Sequence, residues 1–238
     1  MTEISLLPGW ALSASNLEPL ADALVERLPG VGCGLCELPP LQLSSLEDDL
    51  QALAAALPDG PLIGWSLGGM LAVQLQRRFP QRFTRVVTLA SNACFVARAD
   101  WSAAMPVDTY KTFLQNMRDS PERTLRRFGL LVTQGAEQPR ELVKQLQWDQ
   151  ADPLQRLQAL SLLGLLDNRA AMRGAAAGSQ LHCLAGQDEL VPAAAAEALR
   201  QLAPQQQVLL HGQACHALPL QQPDWLAGQI AGFLQGAP

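Results

Sequence analysis

Short apolar runs alternate along this chain with longer segments whose apolar residues recur at helical spacing, and this alternation constrains the fold more than any other feature. Runs that are apolar at nearly every position are typical of parallel strands, because helices cover both faces of such a sheet. The pattern therefore predicts an α/β fold with a doubly wound, mostly parallel sheet and right-handed crossovers. The predicted strands are 4–7, 33–38, 62–64, 86–89, 181–185 and 207–210, and the predicted helices are 16–28, 46–57, 67–78, 193–202 and 223–234.

One region lacks this alternation of strand and helix patterns. Between about residues 100 and 173 the pattern is helical throughout, and Pro121 and Pro139 each stand where a helix would begin. A length of 238 residues suits one α/β domain. The expected organisation is an α/β core of residues 1–99 and 174–238 with an all-helical cap, residues 100–173, inserted into the same domain.

Composition excludes several classes of protein. The net charge of −5 makes nucleic acid a poor partner. The sequence has neither a basic, apolar leader nor a stretch apolar enough to span a membrane, so a cytoplasmic protein without membrane contact is expected. The cysteines are too few for a disulfide scaffold, and Cys33 and Cys36 should point to opposite faces of one strand, which favours free thiols over a metal or redox site.

The motif Gly64-Trp65-Ser66-Leu67-Gly68 matches G-x-S-x-G. It lies between a predicted strand and a predicted helix, as a nucleophile elbow requires, and the elbow would hold Ser66 above the carboxyl edge of the sheet. A glycine-rich turn of a nucleotide-binding fold is the competing interpretation. It is disfavoured because neither G-x-G-x-x-G nor a phosphate loop with Lys-Ser/Thr occurs.

A serine hydroxyl needs a general base, and the chain has three histidines. His182 falls inside a predicted strand and is expected to be a packed residue. His216 follows the last strand in a loop at the carboxyl edge and is the predicted base, with His211 at the end of that strand as its competitor.

The base needs a carboxylate to orient it. Asp188 follows the penultimate strand and is the predicted partner, while Glu189 is its neighbouring alternative and Asp224 suits a helix start. The order Ser66, Asp188, His216 is the order of the α/β-hydrolases. An oxyanion hole is expected from the backbone N–H of Leu67 and of Trp10, because Pro8 has no N–H to offer.

Further motifs carry a resemblance to a known family. The chain resembles the serine carboxylesterases of the α/β-hydrolase family and, among them, the methyl ester esterases that act on pimeloyl-[acyl-carrier protein] in biotin synthesis. The matching segments are residues 6–10, 64–69, 90–95, 97–98 with Trp101, and 122–128. It departs from the family pattern in having Pro8-Gly9 where His-Gly is usual, and in starting at what would be an internal strand of larger hydrolases.

The resemblance implies a triad of Ser66, Asp188 and His216 that requires no cofactor or metal. It also implies that Trp10 and Leu67 serve the oxyanion and contact substrate. The acyl site would be lined by Phe128, Gly129, Leu130, Leu131 and Val132. A monomer is expected.

Charge supports a carrier protein as the partner. Residues 98–173 hold eleven Lys/Arg and nine Asp/Glu, whereas the rest of the chain holds six and thirteen. A basic cap on an acidic body favours docking of an acidic acyl-carrier protein, although a solvated helix face would look similar. Arg123, Arg126 and Arg127 share one helix face, Arg140 and Lys144 form a second pair, and the resemblance selects Arg123, Arg127, Arg140 and Lys144 for docking.

Three alternatives stay open at this stage. Two are enzymes, a broad-specificity short-chain carboxylesterase and a carbon–carbon bond hydrolase. The third is a hydrolase-like binding module without catalysis, which the presence of all three triad residue types disfavours.

Overall fold

A six-stranded parallel sheet forms the centre of the computed structural model, which describes residues 3–42 and 45–236. The strands are β1 (Glu3–Leu7), β2 (Gly32–Leu35), β3 (Leu62–Trp65), β4 (Val86–Leu89), β5 (Gln180–Ala185) and β6 (Gln207–His211). Their order in the sheet is β2-β1-β3-β4-β5-β6, and neighbouring strands run parallel. The predicted fold class is thus confirmed.

Helices cover both faces of the sheet. The helices that flank the sheet are α1 (Glu18–Arg27), α2 (Leu46–Ala56), α3 (Leu67–Arg78), α9 (Ala194–Leu202), α10 (Leu218–Gln221) and α11 (Pro223–Gln235). The connection from β1 to β2 runs towards one edge of the sheet, and every later connection runs towards the other edge. Right-handed connections therefore put α1 on one face and α2, α3 and α9 on the other. Helix α11 packs beside α1.

Between β4 and β5 the chain forms five further helices and no strand longer than an isolated bridge. Proline stands in the first turn of α5, α6 and α7, where its missing N–H costs no hydrogen bond. These helices are α4 (Val107–Asp119), α5 (Pro121–Thr133), α6 (Pro139–Gln145), α7 (Pro153–Leu165) and α8 (Arg169–Gly174).

Two predicted boundaries differ from the structure by more than one residue. Strand β2 ends at Leu35, three residues earlier than expected, because Pro39 and Pro40 follow and the Glu37 carboxylate turns away to accept from Ser13 Oγ at 2.7 Å. The helix expected from residue 16 begins as a 3-10 turn, Ala14–Leu17, and becomes α-helical at Glu18.

The cysteines are free thiols. Cys33 and Cys36 are half-buried, and burial raises the pKa of both. Burial is complete at Cys183 in β5, where it raises the pKa to about 12. Their thiolate fractions at neutral pH are therefore small.

His182 is a packed residue, as predicted. It lies in β5 beside Thr88 of β4, and its Nδ1 is 2.8 Å from the Thr88 hydroxyl. Its Nε2 is buried with no hydrogen-bond partner among residues 3–42 and 45–236. Burial lowers the pKa of His182 to about 4, because a charged imidazolium would have no water around it.

This depressed pKa makes stability depend on pH. The unfolded chain takes up a proton at His182 near pH 6.5 and the folded chain only near its lowered pKa of about 4, so stability falls as the pH drops through that window. Wild type should lose about 2 kcal/mol more unfolding free energy than His182→Gln between about pH 7 and pH 5. Urea denaturation at both pH values measures this.

Thr88→Val is the control for that comparison. It removes the hydroxyl partner but keeps the imidazole, so its stability should be lower at both pH values with the wild-type pH dependence. Equal pH dependence in wild type and His182→Gln would contradict the assignment.

Candidate active site

Ser66 stands at a sharp turn between β3 and α3. Its backbone has φ +54° and ψ −114°, a conformation that costs a non-glycine residue about 1 to 3 kcal/mol. Two glycines permit the turn, because a Cβ at Gly64 would clash with the Gly68 backbone and one at Gly68 would lie 2.5 Å from the Leu7 and Pro8 carbonyl oxygens. The sequence therefore folds here as a nucleophile elbow.

Hydrogen bonds from β4 and the loop after it hold this turn. The Ser66 N–H donates to the Leu89 carbonyl at 2.8 Å, and the Ser91 hydroxyl donates to the Ser66 carbonyl at 2.8 Å. Ser66 itself is 7% exposed, so little of the residue is in contact with solvent.

His216 and Asp188 meet at the carboxyl edge of the sheet. His216 Nδ1 lies 2.7 Å from Asp188 Oδ2, and both side chains are fully buried. The other carboxylate oxygen accepts from the backbone N–H of Leu190 at 2.8 Å and of Val191 at 2.9 Å. The carboxylate is thus fixed in position, and it selects the imidazole tautomer that carries its proton on Nδ1.

That tautomer leaves His216 Nε2 as an acceptor. This atom is buried and has no hydrogen-bond partner in the part of the chain that the structure describes. The motif residue Trp65 holds the same loop, because its indole N–H donates to the His216 carbonyl at 2.8 Å and its ring centroid is 6.0 Å from the imidazole. Sequence reasoning missed this role, since any side chain satisfies the second position of G-x-S-x-G.

The residues considered as alternatives for the base and the carboxylate do not join the His216–Asp188 pair. The His211 ring packs edge-on against Trp225, 5.0 Å between centroids. Glu189 is exposed, and Asp224 at the start of α11 lies 3.4 Å from Arg27.

The loop after β1 passes directly over the serine. A Cβ on Gly9 would come 3.3 Å from Ser66 Cβ, and the Pro8 carbonyl accepts from the Gly68 N–H at 3.1 Å. Leu67 is the first residue of α3, so its N–H has no partner within the helix. The backbone N–H of Trp10, next to Gly9 in that loop, makes no hydrogen bond among the described residues. The backbone donors of Leu67 and Trp10 are thus both without a partner in the described part of the chain.

A cavity of about 540 Å³, here called the cap cavity, opens between α4 and α5. Phe113, Leu131 and Leu190 line it with apolar surface. Thr109, Thr112, Asn116, Ser120 and Thr124 contribute neutral polar groups, and Asp108, Arg123 and Arg127 contribute charged ones.

An aromatic cluster joins this cavity to the loop over the serine. The Trp10 ring packs edge-on against Phe113 at 5.4 Å and against Phe128 at 4.8 Å. The cap therefore contacts Trp10 directly.

The five residues predicted to line the acyl site do not share one face. Phe128 packs on Trp10, Leu131 lines the cap cavity, and Gly129 would place a Cβ 3.2 Å from the Trp148 ring. Val132 is buried, and its carbonyl accepts from the Ala217 N–H, next to His216, at 3.0 Å. Leu130 instead faces solvent with 57% exposure, because successive helical residues turn by about 100°.

The four basic residues predicted for docking lie on two cap helices. Arg123 and Arg127 line the cap cavity from α5 and form no ion pair with any described residue. Arg140 and Lys144 are exposed on α6, where Lys144 lies 2.8 Å from Glu141. Arg126, the third arginine of α5, pairs with Glu122 at 3.9 Å and does not line the cavity.

The described residues contain no candidate metal cluster and no candidate membrane-spanning helix. No group of three or more His, Cys, Asp or Glu side chains is placed to hold a metal ion. None of the helices in residues 3–42 and 45–236 has the length and apolarity to cross a membrane.

The class of protein is defined by four features together: the parallel sheet, the elbow at Ser66, the buried His–Asp pair and the five helices between β4 and β5. A family model described as "Alpha/beta hydrolase family" matches residues 6–229, and the chain belongs to this family. The resemblance stated from the sequence is thereby confirmed.

Within this family, the chain is similar to a named methyl ester esterase and to a named protein of biotin biosynthesis. The chain is 32% identical over 248 residues to the pimeloyl-[acyl-carrier protein] methyl ester esterase of Xylella fastidiosa (strain M12), covering 98% of this chain and 95% of that protein. It is 40% identical over 240 residues to the biotin biosynthesis bifunctional protein BioHC of Cellvibrio japonicus, covering 97% of this chain and 47% of that protein. The chain thus spans about half the length of the bifunctional relatives.

Solved structures share the fold at low sequence identity. An esterase from Exiguobacterium antarcticum superposes with a TM-score of 0.78 at 14% identity, covering 99% of this chain and 92% of the other. The enol-lactonase from Burkholderia xenovorans LB400 gives 0.78 at 17% identity with the same coverage. At these identities the likeness extends to the fold alone.

The strain at Ser66 can be measured. Ser66→Gly should be about 1 kcal/mol more stable than Ser66→Ala in guanidinium denaturation, because glycine adopts a positive φ without strain. Ser161, in the middle of α7, is the matched control, and there glycine should be less stable than alanine by about 1 kcal/mol. The same order at both positions would contradict backbone strain at the elbow.

Proposed function

We propose that this protein is a serine carboxylesterase that hydrolyses the methyl ester of pimeloyl-[acyl-carrier protein] in biotin precursor synthesis. The observation that carries the enzyme class is the buried pair of His216 and Asp188, 2.7 Å apart, whose outer imidazole nitrogen is free. A strained elbow at Ser66 supports the same chemistry, since strain is tolerated where a side chain must be held in one orientation.

In the proposed mechanism Ser66 Oγ attacks the ester carbonyl carbon while His216 Nε2 takes the serine proton. Asp188 holds the imidazolium, and the N–H groups of Leu67 and Trp10 donate to the oxyanion. When the carbon–oxygen bond to the methoxy group breaks, His216 returns the proton and methanol leaves. Water, deprotonated by His216, then attacks the acyl-serine, and collapse releases the carboxylic acid and restores Ser66.

The substrate is inferred from the relatives. The protein of Xylella fastidiosa is named for the methyl ester of pimeloyl-[acyl-carrier protein], and that of Cellvibrio japonicus for biotin biosynthesis. The cap cavity supports such a substrate, because its apolar wall suits a methylene chain while its hydroxyl and amide side chains suit the polar arm of a carrier. The carrier would stay outside with only the distal ester reaching Ser66.

Docking of the carrier is assigned to the basic side chains of the cap. Arg123 and Arg127 line the cavity, which also contains Asp108, and neither arginine forms an ion pair with a described residue. Arg140 extends the positive surface onto α6. Lys144 is assigned with them, although Glu141 offsets its charge. An acidic carrier would be steered towards this surface at low ionic strength.

The five helices between β4 and β5 act as the substrate-binding cap, residues 100–173, on a core of residues 1–99 and 174–238. We place the enzyme in the cytoplasm as a monomer that needs no cofactor, metal or nucleic acid.

Replacement of the nucleophile tests the enzyme class. Ser66→Ala should lower kcat for the carrier-linked methyl ester by about a thousandfold or more, because no other described group stands at the elbow. Wild type should also react with a fluorophosphonate probe, whereas Ser66→Ala should not. An unreactive wild type would favour a binding module, and full activity in Ser66→Ala would refute the mechanism.

Charge reversal tests carrier docking. Arg123→Glu should raise KM for the carrier-linked ester about tenfold at low salt and leave a small methyl ester unaffected. Arg126→Glu is the matched control, because it makes the same change of charge on the same helix at a residue that already pairs with Glu122. Equal effects on both substrates would indicate a broad carboxylesterase without a docking surface.

A further inference from the structure

The loop that carries Trp10 is hydrogen-bonded to the helical region between β4 and β5. Residues 9–13, here called the oxyanion loop, form a turn closed by the Leu12 N–H donating to the Gly9 carbonyl at 3.3 Å. Ala11 within this turn has φ +59°, a left-handed conformation that disfavours residues with a Cβ. A turn of this kind needs external contacts to persist in one conformation.

Residues 147–149 of the cap, here called the cap bridge, supply those contacts. Leu12 and Trp148 form an antiparallel bridge, in which the Ser13 N–H donates to the Gln147 carbonyl at 3.0 Å and the Asp149 N–H donates to the Ala11 carbonyl at 3.1 Å. The residue in the strained conformation is therefore bonded directly to the cap.

Asn16 holds one end of this bridge. Its side chain is 2% exposed and donates to the carbonyls of Ser13 and Gln147, each at 2.7 Å. Its Oδ1 accepts from the Gln147 N–H at 2.9 Å. One amide thus satisfies both polar groups of a cap residue and ties them to the oxyanion loop.

Arg156 of α7 holds the other end. Its guanidinium donates to the Asp149 carboxylate at 2.8 Å and to the Asp149 carbonyl at 2.7 Å. Its own carbonyl accepts from the Trp10 indole N–H at 2.7 Å. Arg156 therefore contacts the loop both through its backbone and through Asp149.

We propose that Asn16 and Arg156 are positioning residues that aim the Trp10 backbone N–H at the oxyanion by locking the cap bridge to the oxyanion loop. This inference rests on the proposed function. The seating of the cap then sets the electrostatic stabilisation of the transition state, so the cap contributes to kcat as well as to substrate binding. Oxyanion donors act only when preorganised, and a small displacement of one removes much of its effect.

The test uses a small p-nitrophenyl ester, which needs no carrier docking. Asn16→Ala and Arg156→Ala should each lower kcat by about ten- to a hundredfold and change KM by less than about twofold, because the donor acts mainly on the transition state. The Ki of a trifluoromethyl ketone, whose adduct with Ser66 bears an oxyanion, should rise by the same factor as kcat/KM falls. Arg156→Ala keeps the carbonyl that binds the Trp10 indole, and Arg156→Lys should recover part of the lost kcat.

Asn168→Ala is the matched control. Asn168 is a fully buried asparagine that ties the other end of the cap to α3, through Met70 O at 3.0 Å and Gln74 Nε2 at 2.5 Å, without touching the oxyanion loop. Its loss should lower the Tm as the Asn16 variant does but change kcat by less than about threefold. If Asn16→Ala does not fold, the kcat and the inhibitor Ki of Arg156→Ala test the inference on their own.

Two results would overturn the inference. One is a folded Arg156→Ala with wild-type kcat and inhibitor Ki, and the other is a loss of kcat in Asn168→Ala equal to that in the bridge variants. Failure of the proposed function would give a different result from either of these, because the wild-type protein itself would then neither hydrolyse the ester nor bind the ketone.

Discussion

The close approach of α3 to the sheet is the constraint on which the rest of the site depends. Helix α3 can follow β3 without an intervening loop only because Gly64 and Gly68 bring backbone against backbone. This contact forces Ser66 into its positive-φ conformation, and hydrogen bonds from Leu89 and Ser91 keep it there. The energy for this strained turn comes from the fully buried strands and apolar helix face around it.

The loops that meet at Ser66 are held by their neighbours rather than by their own sequence. Trp65 holds the His216 loop from the elbow, and the Val132 carbonyl holds it from the cap. The oxyanion loop is paired with the cap bridge through Leu12 and Trp148. The cap is therefore part of the site's framework, and core and cap determine its geometry together.

Much of this molecule was predictable because its local signals agree with its global fold. The apolar runs of β4 and the helical period of α3 predict those elements to the residue, since each is buried where its pattern requires. Pro121 and Pro139 mark helix starts correctly because proline is accepted only in a first turn. The predicted end of β2 was wrong because the side chain of Glu37 accepts hydrogen bonds from Ser13 and Ala14 at the start of the 3-10 turn. Hydrophobic periodicity cannot predict such a contact between distant segments.

The sequence by itself determined the parallel α/β sheet, the glycines of the elbow and the chain order of serine, carboxylate and histidine, because these follow from spacing and from the strand that each residue succeeds. Only the tertiary structure decided that Asp188 pairs with His216 while His211 packs on Trp225, and that Leu130 faces solvent while Leu131 lines the cavity. The support of the oxyanion loop by residues more than a hundred positions away was equally hidden from the sequence. Hydrogen bonds and packing between residues so far apart in the sequence depend on how the loops come together in space. The spacing of residues along the chain does not specify that arrangement.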